Sequence, residues 1–126
     1  MARLLAVFMC QDVDPHPDGV FTAKRVLDGV DFETFPAQAH YCVVVKLAEA
    51  APPIDLRIHF VREGTGEIVY NLDASSPPGR ERRVSTGMVC CPFVFAQPDK
   101  FLVRVLVDGL DIGGTFFTVG MRGRMN

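Results

Sequence analysis

The sequence predicts an all-β fold: one antiparallel β-sandwich of seven to eight strands, in a single domain covering residues 1–126. Three observations predict it. Valine outnumbers leucine and isoleucine combined, and there are ten phenylalanines, a bias towards residues that suit a pleated, half-buried surface. Apolar residues alternate with polar ones over several short segments, while no segment carries a helical 3.6-residue stripe. Turn-forming Gly, Pro and Asp residues recur between those segments at short, fairly even intervals.

Taken in order, strands are expected at 3–10, 20–30, 41–47, 54–60, 68–72, 84–96, 101–107 and 112–116. The segment HYCVVVKLAEAAPPIDLRIHFV can be folded back so that Tyr41 faces Phe60, Val43 faces Ile58, Val45 faces Leu56 and Leu47 faces Ile54. That register makes one face wholly apolar and sets Lys46 against Asp55 on the other, so a hairpin is expected there. EGTGE, with two glycines, turns the chain into Ile68, Tyr70 and Leu72. Asp108-Gly109 joins Phe101, Val103, Val105 and Val107 to a returning strand through Ile112, Gly114 and Phe116. ASSPPGRERR (74–83) is polar and proline-rich and is expected to be a loop.

Composition narrows the function. The formal charge of −2 provides no overall field towards nucleic acid or anionic lipid. No apolar run reaches the roughly 18 residues of a membrane helix. The apolar stretch Leu4 to Cys10 is short for a secretory signal and lacks a small-residue cleavage pattern. The expectation is a cytoplasmic protein with reduced thiols.

Four groups of residues invite a chemical reading. Cys90 and Cys91 are neighbours in a strand and point to opposite faces, so they cannot share a ligand, and they read as packing residues. In the first expected hairpin Cys42 falls opposite His59, with His40 on the same side, a combination that could serve a thiol nucleophile or a metal. DVDPHPDG (12–19) fails the EF-hand pattern at Pro17 and Ala23, and Asp28, Asp31, Asp108 and Asp111 sit at turns, where aspartate bonds its own backbone or could meet calcium. Arg80, Arg82 and Arg83 concentrate positive charge in one loop and are the expected contact to a partner.

The segments AVFMCQDV, GVFTAKRVLDGVDFETFP and FLVRVLVDGLDIGGTFFTV together resemble an uncharacterised family of small bacterial β-sandwich proteins, a domain of unknown function. Its members start with a short strand ending near an Asp, pass through a Gly-rich segment to Phe-Pro, and close with a strand-Asp-Gly-strand hairpin. The resemblance implies a fold and brings no activity. The closing hairpin also looks like the last two strands of immunoglobulin-like modules, so an immunoglobulin-like or jelly-roll-like sandwich is expected. The function expected is a non-enzymatic interaction or accessory module. It would bind an unidentified protein partner through loops or an edge strand, without cofactor, metal, nucleic acid or membrane, and self-association fits this reading. Two other readings stand beside it: a thiol- or metal-dependent enzyme using Cys42, His59 and His40, and a calcium- or ligand-binding module using the loop aspartates.

Overall fold

The computed structural model describes residues 2–16, 21–50, 53–74 and 82–122. These residues form nine strands: β1 (Arg3–Pro15), β2 (Phe21–Leu27), β3 (Gly29–Phe32), β4 (Ala37–Ala50), β5 (Leu56–Arg62), β6 (Ile68–Asp73), β7 (Arg82–Phe95), β8 (Asp99–Val107) and β9 (Leu110–Met121). They are arranged in two sheets, ordered β2-β1-β4-β7 and β3-β9-β8-β5-β6, with no helix among the described residues. The sandwich expected from the sequence is present, with one strand more than expected. The segment 20–30 divides into two strands because the chain leaves the first sheet at Asp28 and enters the second. Gly29 permits this crossing, since a Cβ there would sit 2.7 Å from the Thr118 carbonyl oxygen. β3 then runs parallel to β9, whereas every other neighbouring pair is antiparallel.

The hairpin expected between 41–47 and 54–60 does not form. β4 pairs with β1 and β7, so Val43 lies between Met9 and Val89. β5 lies in the other sheet, where Ile58 lies between Leu72 and Val105. The apolar alternation that suggested the hairpin has a different cause. Tyr41, Val43, Val45 and Leu47 point inward from one sheet, and Leu56, Ile58 and Phe60 point inward from the other, so the two strands meet face to face across one core. Matching apolar faces are required equally by a hairpin and by two layers of a sandwich.

The other two hairpins stand. β5 and β6 pair across the EGTGE turn. β8 and β9 pair across Asp108-Gly109, whose φ angles of 51° and 82° are those of a two-residue hairpin turn. Beyond that turn the expected alternation changes. The register slips between Val105 and Leu106, so that Leu106 meets Asp111 while Val105 meets Gly113, and Ile112 is the extra residue. The bulge turns Phe117 and Val119 into the core and leaves Phe116 on the outside, 64% exposed.

The core is aromatic at its centre. The Phe60 and Phe93 ring centroids lie 5.2 Å apart, Tyr70, Phe95 and Phe101 adjoin them, and Phe117 packs on Phe95. Tyr70 also ties the sheets together at one side of the sandwich. Its hydroxyl donates to the Val94 carbonyl at 2.6 Å and accepts the Val94 N–H at 2.8 Å, so β6 of one sheet caps the open edge of β7 in the other.

The first sheet has a second buried surface on its outward side. Cys10, Cys42 and Val44 have no solvent exposure there, and Phe8, Val13, Phe21, Ala23 and Met88 pack against them. Pairing between β1 and β2 skips Gln11 and Arg25, and Arg25 takes a φ of 56°. The far half of this ribbon bends back over the outer face, bringing the Phe21 ring within 5.5 Å of the Lys46 ammonium.

Candidate functional site: an unpaired strand edge

A sandwich presents its strand edges as rows of backbone donors and acceptors, and most edges here are blunted. β7 carries the Tyr70 cap at Val94. Because both Val94 groups point away from β4, those of Pro92, two residues earlier, do the same, and proline has no N–H to offer. β2 bears Lys24 and Arg25, β3 has four residues and β6 has six. The first half of β1 pairs with β4 alone and is interrupted by a bulge between Leu4 and Ala6.

β9 is different. It pairs with β3 only through Thr118 to Met121, so from Leu110 to Phe117 it pairs with β8 alone. The Thr118 N–H donates to the Asp28 carbonyl at 3.3 Å, and the Arg122 N–H to the Phe32 carbonyl at 2.8 Å. Even-numbered residues of β9 therefore direct their backbone groups away from β8. By the same alternation, Gly114 and Phe116 present N–H and C=O to the open edge. From Ile112 to Gly120 the strand has no charged residue. Exposed Phe116 stands beside this edge, and Leu110, 52% exposed, stands at its start. Next to Leu110 a largely apolar cleft of about 320 Å³ opens between Ala2, Val107, Asp108, Leu110 and Ile112. Gly114 belongs to the architecture of the edge, since a Cβ there would collide with the Val103 carbonyl oxygen.

The residues singled out from the sequence are dispersed. Cys42 is bonded to Cys90 in a disulfide, which overturns the expectation of reduced thiols that only pack. The two face each other directly across β4 and β7 with Cα atoms 4.0 Å apart. His59 lies in the opposite sheet between Asn71 and Arg104, so the Cys42, His59 and His40 set is not assembled. Its premise was the hairpin that the sandwich replaces. His40 opens instead on a polar cleft of about 640 Å³ with Gln11, Asp12, Lys24 and Tyr41, where β1 and β4 separate. Burial against the core pushes the Tyr41 phenol above its ordinary pKa, with Arg25 opposing the shift.

Two of the turn aspartates, Asp108 and Asp111, bond the backbone or a neighbouring charge. Asp108 accepts the Asp55 N–H at 2.9 Å, and Asp111 pairs with Arg104 and accepts the Gly113 N–H. Among the described residues no group of three His, Cys, Asp or Glu side chains could hold a metal ion. Arg80 lies outside the described residues, as does most of the expected 74–83 loop, while Arg82 and Arg83 begin β7. No described helix is long and apolar enough to cross a membrane. Comparison with family models and with curated proteins finds no match. Sequence reasoning missed the β9 edge because the bulge at Ile112 exposes Phe116. The available signal was Gly-Gly at 113–114 inside an otherwise apolar strand, a pattern that marks bulges.

Proposed function

We propose that this chain is a non-enzymatic interaction module that takes an extended segment of a protein partner as an added strand on the edge of β9. The observation that carries the reading is the stretch from Leu110 to Phe117, paired on one side only, with the backbone groups of Gly114 and Phe116 directed outward. Strand addition draws affinity from such groups and specificity from pockets for alternate side chains, and the cleft beside Leu110 supplies one pocket. The contrast with β7, β2 and β1, each blunted by a cap, charge or bulge, supports choosing this edge. The Cys42–Cys90 bond favours a setting in which thiols are oxidised, and here the reading departs from the cytoplasmic expectation.

The test is selection of binders from a library of extended peptides, followed by titration against the wild type and Phe116→Lys. A lysine at this exposed site should leave the thermal melt unchanged and weaken peptide binding by about tenfold or more, about 1.4 kcal/mol. Peptides that bind Phe116→Lys as tightly as the wild type would remove the β9 edge from the account. A concentration-dependent dimer that Phe116→Lys dissociates would make the added strand another copy of this chain.

A further inference from the structure

The sheet register aligns three cysteines in one row. Cys10 on β1 is opposite Cys42 on β4, and Cys42 is opposite Cys90 on β7. Residues opposed across neighbouring antiparallel strands project to the same face, so all three sulfurs lie on the outer side of the first sheet. The outward direction of Val94 makes Cys42 and Cys90 a pair without backbone hydrogen bonds, which brings their side chains close. It follows that Cys42 turns its backbone groups towards β1. Cys10 and Cys42 are then a hydrogen-bonded pair with a Cα separation near 5.5 Å, within the range that a disulfide spans. The row also runs along a gradient of exposure. Cys10 and Cys42 are fully buried beneath the bent β1–β2 ribbon, whereas Cys90 is exposed on the edge strand. Cys10 carries a free thiol, and Cys91, also free, belongs to the opposite face and packs against the main core.

We propose that Cys10, Cys42 and Cys90 form an intramolecular disulfide relay that transfers a free thiol from the buried ribbon interface to the exposed edge of the sheet. The Cys10 thiol gives its proton to solvent, and the thiolate attacks Cys42 Sγ in line with the existing bond. The Cys10–Cys42 bond forms, the Cys42–Cys90 bond breaks, and Cys90 leaves as a thiolate that takes up a proton. One disulfide and two free thiols are present before and after, so no external oxidant or reductant is consumed. The product places a thiol where solutes reach it, so Cys90 is the site at which an external disulfide or thiol-reactive electrophile would enter. Burial holds the Cys10 thiol above its ordinary pKa, with Asp12 contributing in both directions, so exchange with the ribbon closed is slow near neutral pH. Release of the ribbon at Gln11 and Arg25 would solvate Cys10 and speed the exchange. The staple then links β1 to β4 and leaves β7 held by its ladder and by Tyr70.

The experiment is thiol trapping on the intact protein. The chain is incubated at about pH 8.5, near the ordinary thiol pKa, then acid-quenched, alkylated and mapped by mass spectrometry without reduction. The relay predicts that labelled Cys90 rises as labelled Cys10 falls, in equal amounts, with a Cys10–Cys42 cross-linked peptide appearing alongside. Cys10→Ala, which keeps a small apolar side chain, should abolish Cys90 labelling. In Cys90→Ser equilibrated with oxidised glutathione, Cys10 and Cys42 should be found bonded to each other. Wild-type labelling confined to Cys10 and Cys91 would overturn the relay. So would undiminished Cys90 labelling in Cys10→Ala, which would make Cys91 the attacking thiol.

Discussion

Replacing Tyr70 with phenylalanine removes one oxygen atom and tests the tie between the two sheets. The hydroxyl makes two hydrogen bonds to Val94, one as donor and one as acceptor, and the ring contacts Phe60, Phe93 and Phe95. The Tyr70→Phe variant would keep every ring contact and lose both hydrogen bonds. Val94 is half exposed, so its freed N–H and C=O can bind water, and no full desolvation penalty arises. Two neutral bonds at roughly 0.5–1.5 kcal/mol each then give a loss of about 1–2 kcal/mol. For a chain of this size that corresponds to roughly 5 °C in Tm. Tyr70→Ala also removes the ring and should cost about 3–5 kcal/mol. Urea unfolding of the two variants separates hydroxyl from ring, provided the m-value is unchanged. Equal stability of Tyr70→Phe and the wild type would show that the hydroxyl is not a tie. Equal losses for the two variants would place the whole contribution on the oxygen and contradict the ring packing.

Gly114→Ala should destabilise by about 2 kcal/mol or more, because its Cβ would meet the Val103 backbone and the two strands must separate to admit it; chemical unfolding checks this. Val43→Asp should prevent folding, since it places a charge without a partner in the fully buried core; loss of the native circular dichroism signal is the readout. Burial raises the Cys10 and Cys91 pKa values, so their contribution to stability is complete below the ordinary thiol pKa and declines as pH rises through the raised folded values. Unfolding midpoints measured from pH 7 upward should fall in the alkaline range, and Cys10→Ala should lessen the fall.

The sequence was most informative where a local rule has one structural meaning. Asp108-Gly109 between alternating apolar residues is a strong signal for a tight hairpin, and it forms one. The glycine pair of EGTGE likewise positioned β6 beside β5. Alternation alone was weaker evidence. Val43 and Ile58 are apolar at matched positions because both are buried in the same core, and nothing local distinguishes contact across a sandwich from pairing within a sheet. That ambiguity generated both the false hairpin and the Cys42–His59 pair that rested on it. The Cys10, Cys42 and Cys90 row depends on the order β1-β4-β7, a non-local property no spacing reveals. The open edge was hidden for a related reason: a single extra residue at Ile112 inverts the inside and outside of every residue after it.

Amide hydrogen exchange along β9 reads each backbone N–H separately and so distinguishes an open edge from a paired one. In the free chain, Gly114 and Phe116 should exchange far faster than Thr115 and Phe117, whose N–H groups face β8. On adding a selected peptide, Gly114 and Phe116 should become protected while Thr115 and Phe117 stay as they were. Protection of Gly114 and Phe116 equal to that of their neighbours in the free monomer would mean that the edge is already paired, and the account of β9 as a docking strand would fail.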